Sequence, residues 1–385
     1  MKNGRDPVIV GLADAPIEDG KFVTKASVLG HAALVAKAAV EEAGLTLDDV
    51  DGLLTAGMWG VPGPGQLATV TLGEYLGIMP TYVDGTNIGG SAFEAHVAHA
   101  AMALREGYCE VALIVYSSDQ KSLRSRNLGG RPSVLSMQHE TPYGMPTPVG
   151  GYAMAAQRHM HEYGTTSENL AEIAVATRKW AQLNPAATRR DPLTVDDVLS
   201  STMISEPLHL LDCCLVTDGA GAIVMTTAER AKNLRTKPVA VKGYGEAHTH
   251  WAIAEMPDLA RLLPAQKAGE TAMKMAGVSP SDIDVVEVYD SFTITVLLTL
   301  EALGFCKIGE GGDFVSGQRT APGGAFPMNT NGGGLSALHP GMYGIFLLIE
   351  ATRQLRGGCR DRAGAWHGGH AVLWRDRDFA EGLSR

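Results

Sequence analysis

His339 stands between a glycine-rich run, Asn329-Thr330-Asn331-Gly332-Gly333-Gly334, and a segment from Met342 to Leu355 that is apolar around most of a helical circumference. A histidine placed there can move protons. Proline suits the first turn of a helix, where its missing N–H would be unpaired anyway, so the spacing predicts a helix beginning at Pro340 with His339 at or beside its N-cap. The helix dipole would then disfavour the imidazolium and leave a neutral ring near pH 7. A helix apolar all round is buried rather than amphipathic. Tyr343 lies four residues after His339, so in that helix it shares a face with the histidine; a buried aromatic is the other reading.

Two further stretches carry groups of the same kind. Tyr289-Asp290-Ser291-Phe292 offers a phenol whose unperturbed pKa is about 10, a poor base but a good partner for a substrate hydroxyl. Trp366-His367-Gly368-Gly369-His370 offers a second histidine, either acid-base or an ordinary loop residue, beside backbone amides such as that of Gly369. Histidine, tyrosine, the Asn331 amide and glycine N–H groups together suit proton transfer and the holding of a developing oxyanion. A nucleophile is harder to find. Of the five cysteines (109, 213, 214, 306, 359) none begins a helix, and Cys213-Cys214 reads as apolar core. Ser91, in Thr86-Asn87-Ile88-Gly89-Gly90-Ser91-Ala92, has no evident base.

The elements that must position these groups are strands alternating with helices. Val8-Ile9-Val10-Gly11 opens a strand, residues 26–43 a helix ending at Ala43-Gly44, and Leu45 to Leu54 a turn and second strand. The same phrase returns at Pro238-Val239-Ala240-Val241, at a helix over 265–276 ending at Ala276-Gly277, and at Val278 to Val286. Repetition at nearly equal offsets implies a duplicated fold, with halves at 1–236 and 237–385, each of βαβ type with a mixed sheet. In that duplication the His339 helix is matched by one starting near Thr86 to Ala92. Residues 117–205, with Pro142-Tyr143-Gly144-Met145-Pro146-Thr147-Pro148 and a helix near 150–163, interrupt the symmetry.

Asn329-x-x-Gly332-Gly333 followed by His339-Pro340-Gly341 and a buried helix resembles the C-terminal histidine motif of the thiolase superfamily, in its sterol-carrier-protein-type branch. Leu211-Asp212-Cys213-Cys214, Thr217-Asp218-Gly219-Ala220-Gly221-Ala222 and Tyr289-Asp290-Ser291-Phe292, standing where that branch has His-Asp-Cys-Phe, agree in order along the chain. The resemblance implies an α/β, five-layered αβαβα fold with two mixed sheets around buried central helices, a loop domain over 117–205, and a homodimer. It also implies an acyl-CoA substrate, with coenzyme A part of that substrate and no separate bound cofactor or metal.

Three departures from the family pattern bear on mechanism. Thiolases carry a cysteine at the start of the first central helix; the best match is Asn87, an amide that cannot form a thioester. Their C-terminal Cys-x-Gly is replaced by the His367 to Gly369 loop, and Tyr289 replaces histidine. A Tyr-Asp-x-Phe motif without the nucleophile resembles the thiolase-like aldolases that cleave steroid acyl-CoA side chains and work with a small partner having OB-fold and zinc-ribbon parts. Those enzymes have a tyrosine shortly before the second histidine, where this chain has Leu338. Retro-aldol cleavage would use Tyr289 as acid/base toward the β-hydroxyl, His339 with Asn331 or loop amides such as that of Gly369 to hold the thioester oxygen, Asn87 to position substrate, and His367 or Tyr343 as proton donor. Acyl transfer to coenzyme A and a non-catalytic acyl-CoA-binding scaffold are the alternatives.

Composition sets outer bounds. At 385 residues, with 45% hydrophobic residues and 46 glycines, the chain suits a compact α/β enzyme. Its formal charge of −10 argues against nucleic acid or an anionic membrane as the main partner. Scattered cysteines, no signal peptide before Pro7 and no run of transmembrane length predict a cytoplasmic protein.

Overall fold

The computed structural model describes residues 4–60, 63–123, 137–145 and 148–357. Six strands form one mixed sheet: β1 (Pro7–Asp14), β2 (Gly52–Leu54), β3 (Tyr82–Asp84), β4 (Val111–Ser118), β5 (Gly219–Thr227) and β6 (Val239–Ala240), in the order β6-β1-β5-β4-β2-β3. The β2 pairings with β3 and β4 are parallel and the others antiparallel. Side chains of a strand alternate between faces, and β4 shows the consequence. Val111, Leu113 and Val115 join a core with α1 (Val28–Ala43) and α2 (Ala68–Leu76), whereas Ala112, Ile114 and Tyr116 join a core with two buried helices. Those helices are α3 (Ala92–Glu106) and α8 (Gly344–Arg356).

Beyond α8 the layering continues. Val285 packs with Ala351 of α8, while Val286 and Val288 point the other way, into a core with α4 (Val149–Tyr163), α5 (Ser167–Gln182) and α7 (Thr293–Ala302). α6 (Leu263–Ala276) lies against α7. Val286 forms an isolated parallel bridge with Met328. The succession α1/α2, sheet, α3/α8, the bridged segments at 285–288 and Met328, α7/α6 is the five-layered α/β arrangement. β6 follows residue 236 yet pairs with β1 of the first sheet.

Local signals place the outer helix well. Ser27 caps α1 by accepting from the Gly30 N–H at 3.1 Å, and Gly44, at φ 80°, ends it in the left-handed conformation. The central helix after His339 departs from expectation. It starts at Gly344 with Tyr343 as N-cap, so Pro340 is not its first residue and His339 is not its cap. The carbonyl that a helix from Pro340 would use is taken instead by the Tyr116 hydroxyl at 2.5 Å, and the Gly344 N–H goes to Gly90 O at 3.1 Å. Gly341, at φ 92°, adds a left-handed step that a helix would not tolerate. Cys213 and Cys214 are half-buried; Cys213 packs against the core of α4, α5 and α7 and bridges Phe292 outside any named strand.

Candidate active site

Tyr289 and His339 come from segments 50 residues apart and meet where α3 and α8 begin. The Tyr289 hydroxyl lies 3.0 Å from His339 Nε2 and accepts the Tyr343 N–H at 3.1 Å. In the contact with His339 the phenol donates when Nε2 is unprotonated, so the direction follows the histidine tautomer. Burial holds the Tyr289 phenol well above the ordinary range, with the nearby Cys214 adding to the effect. Tyr289 is therefore a neutral donor, and the imidazole is the group able to receive its proton. The dipole argument for His339 lapses, because the histidine stands in a loop ahead of α8. Thr217 fixes that loop: its hydroxyl accepts the His339 N–H at 3.0 Å, and its N–H reaches His339 O at 3.2 Å.

The ring of Tyr289 lies on the backbone of Gly90. A Cβ added to Gly90 would fall 2.2 Å from Tyr289 Cε2 and 2.4 Å from its hydroxyl oxygen. No side chain at that position, a cysteine included, coexists with this tyrosine. Asn87 lies four residues before Ser91, the N-cap of α3, and its amide is engaged locally: Nδ2 donates to Ala56 O at 2.8 Å and Oδ1 accepts the Gly89 N–H at 3.1 Å. Gly90, which spacing alone did not single out, is the part of this loop that touches Tyr289. Ser91 is exposed and makes no capping bond with its side chain.

Behind His339 the glycine-rich run folds into a π-type turn over Gly333–Ala337. Asp290 holds it, accepting the N–H groups of Gly334 at 2.7 Å and Leu335 at 3.1 Å. Burial pushes the Asp290 carboxyl up to about 7 although those donors favour its charged form. Gly333 is required here, at φ 59° and with a Cβ that would fall 2.1 Å from Asp290 Oδ2. Asn331 Oδ1 accepts from Gly333 N at 2.7 Å and from the Tyr343 hydroxyl at 3.0 Å, so its Nδ2 end is the one not used by those two bonds. Tyr343 is fully buried, its ring roughly stacked 6.0 Å from that of His339, and burial keeps its phenol well above the usual range. It reaches the site through packing and its backbone N–H, not by sharing a helix face with His339.

Residues 178–189, within the 117–205 segment, contact this centre from one side. Asn184 Nδ2 donates to Asn331 O at 2.8 Å, and the Thr188 and Arg189 N–H groups donate to Ala337 and Ser336 carbonyls at 3.0 and 2.9 Å. The buried Arg178 guanidinium donates to Ser336 Oγ at 2.8 Å. Thr217, Asp290 and Gly90 are the contributors not given roles by motif reading, though each lies inside a stretch quoted above. His367, Gly369 and Cys359 fall outside the described residues. Burial pushes the Cys109 and Cys306 thiols up to about 12, the reverse of what an attacking thiolate needs.

Residues 245–367 match the family described as thiolase C-terminal domain-like. Over 370 residues, covering 93% of each chain, the sequence is 34% identical to the 17-hydroxy-3-oxo-4-pregnene-20-carboxyl-CoA lyase of Mycobacterium tuberculosis. It is also 32% identical to an acetyl-CoA acetyltransferase of Methanothermobacter thermautotrophicus, covering 92% of this chain and 91% of that one. Among solved structures, the Ltp2-ChsH2(DUF35) aldolase superposes with a TM-score of 0.83 at 32% identity, covering 94% of this chain and 92% of that chain. Likeness of this extent, joined to the layered fold and the histidine-bearing glycine loop, means that the chain belongs to the thiolase superfamily and is an enzyme of its sterol-carrier-protein-type, thiolase-like branch.

Proposed function

We propose that this enzyme breaks a carbon–carbon bond of a β-hydroxyacyl-CoA by retro-aldol chemistry, without an acyl-enzyme. The observation that carries this is the Tyr289 ring lying on Gly90, just ahead of the first central helix, with its hydroxyl against His339 Nε2, which leaves no room for any side chain at Gly90. Claisen condensation and thiolysis ordinarily pass through an attacking side chain; retro-aldol cleavage needs only proton transfer and a held enolate. In the proposed step Tyr289 takes the proton of the substrate's β-hydroxyl while passing its own to His339. The bond between the α- and β-carbons breaks, its electron pair enters the thioester as an enolate, and a carbonyl compound leaves. Asn331 Nδ2 and loop amides, Gly369 among them, hold the thioester oxygen. His367 remains a candidate acid within the same reading.

The M. tuberculosis relative is named as a lyase of a steroid carboxyl-CoA, which supports a bulky, cyclic acyl group, with coenzyme A entering as part of the substrate. Two partners belong to the proposal. Edge strand β3 carries the exposed Val83, and α2, α3 and the segment before β3 expose Val70, Met102 and Met79, which suits a homodimer seam. The superposed aldolase carries a double name, Ltp2 joined to ChsH2(DUF35), which supports a second protein here too, a small OB-fold and zinc-ribbon subunit. Among the described residues no helix is long and apolar enough to cross a membrane, and a cytoplasmic site is the compartment we propose.

Incubating the protein with its accessory subunit and a panel of β-hydroxyacyl-CoAs should release a carbonyl compound and a shorter acyl-CoA. Silence across a broad panel counts against the reading. Likeness to the acetyltransferase keeps acyl transfer as a second reading; thiolysis with free coenzyme A, accompanied by an acyl adduct in intact-mass analysis, would select it.

A further inference from the structure

Glu94 sits at the third position of α3 behind Ser91, a Ser-x-x-Glu spacing that ordinarily makes a reciprocal capping box. Here Ser91 makes no side-chain capping bond, and the carboxyl turns toward the other central helix. A Cβ on Gly344, the first residue of α8, would fall 2.3 Å from Glu94 Oε2 and 2.7 Å from Oε1. The carboxyl thus fills the space of an absent side chain at the start of α8, beside Gly90 O, which accepts the Gly344 N–H. Glu94 Oε2 is shielded from solvent and has no hydrogen-bond partner among the described residues. Two helix N-termini favour a carboxylate there, yet desolvation outweighs them and raises the group to about 7.

The charged and titratable groups on surrounding elements do not account for this. Tyr289, Tyr116 on β4, Tyr343 ahead of α8, Glu350 on α8, and His96 and His99 on α3 stand on the elements around it, and burial is the main cause of the shift, opposed by Glu94's own backbone N–H. Other acids of the centre are committed. Asp290 holds the Gly334 and Leu335 N–H groups, the Tyr343 hydroxyl is bound to Asn331, and His339 faces the Tyr289 hydroxyl. A carboxyl whose buried Oε2 has no partner among the described residues, packed with Gly90 O against the start of α8, is placed to exchange a proton with the site.

We infer that Glu94, in place of His367, is the proton donor of this site, delivering its proton to the α-carbon of the thioester enolate left by carbon–carbon cleavage; the inference rests on the retro-aldol reading. In that step the Glu94 O–H bond breaks, the enolate electron pair becomes the new C–H bond, and the thioester carbonyl re-forms. The carboxylate regains a proton from solvent, and His339 returns to solvent the one received from the β-hydroxyl. Gly90 and Gly344 then have paired purposes. One leaves room for the tyrosine that starts the reaction, the other for the carboxyl that ends it.

The test is solvent-deuterium uptake at the α-carbon of the acyl-CoA product, catalysed by the full-length protein with its accessory subunit. E94Q should lower both exchange and kcat by about 10²- to 10⁴-fold, the usual range for a general acid, with KM little changed. Because the donor works protonated, the wild-type rate should fall as pH rises above about 7, and this limb should vanish in E94Q. E94D keeps an acid and should restore part of the exchange. Exchange in E94Q equal to wild type overturns the inference. If E94Q fails to fold, E94D decides: undiminished exchange with an unmoved alkaline limb overturns it, and a reduced rate with a shifted limb supports it. Failure of the retro-aldol reading shows separately, as a wild-type protein that exchanges α-protons but releases no carbonyl compound from any substrate.

Discussion

Tyr289 is a weak base made useful by its neighbours. Its hydroxyl is held between a backbone donor and the His339 ring, so the pair acts as one acid-base unit. Removing either member should cost about 10²- to 10⁴-fold in kcat. Y289F and H339N should therefore lose comparable activity, and the double variant little more, which steady-state cleavage assays would reveal as strong non-additivity. Additive losses would mean that the two side chains work independently. G90A is the complementary change. Its methyl would collide with the Tyr289 ring, so the variant should lose activity while costing about 1–3 kcal/mol of stability through overpacking, measured by denaturant unfolding. G89A makes a useful contrast, because no heavy atom lies within 4 Å of the Cβ it would add, although φ 85° there still strains any side chain.

Elements bring these residues together through contacts no local pattern announces. The Tyr116 hydroxyl takes the Pro340 carbonyl from 224 positions away, delaying the helix after His339 by one turn. A second long-range joint braces α4 against α7. His159 Nε2 lies 3.2 Å from Glu301, whose Oε1 also accepts the Gly311 N–H at 2.8 Å, and both side chains are essentially solvent-free. Breaking a buried pair leaves one polar partner stranded, at about 3–5 kcal/mol. H159A should lower stability by that order in chemical denaturation, and a loss below about 1 kcal/mol would show the pair to be dispensable. Helix limits near 28–43 and 263–276 were legible because glycine C-caps and apolar spacing are local signals. The start of α8 was not, because its first N–H and the Pro340 carbonyl are claimed by Gly90, ahead of α3, and by Tyr116 on β4.

At the scale of the molecule, burial of acids near the two central helices ties stability to pH. Asp290 titrates near 7 in the folded protein against about 4 when unfolded. Between those values the folded state retains a proton that the unfolded state has released, so this group's contribution to stability falls as pH rises and levels off above about 7. Buried histidines such as His31 and His96, lowered by desolvation, act in the opposite sense as pH falls. Comparing D290N with wild type cancels them. The variant's deficit in unfolding free energy should be smaller at about pH 8 than at about pH 5, and an equal deficit at both would place the Asp290 pKa near its ordinary value.

By itself the sequence determined the alternation of strands and helices, the order of the glycine, histidine and Tyr-Asp motifs, and the lack of a cysteine where the first central helix begins. Those are properties of neighbours along a chain: periodicity, caps, and which atom a residue carries. Only the tertiary structure decided that Tyr289 lies over Gly90, that Glu94 abandons its own helix cap for Gly344, and that His339 stands in a loop rather than at a helix start. Each of these depends on which distant group occupies a given space or accepts a given N–H. Close packing and hydrogen-bond satisfaction settle that choice over the whole molecule at once, so no single stretch of sequence contains it.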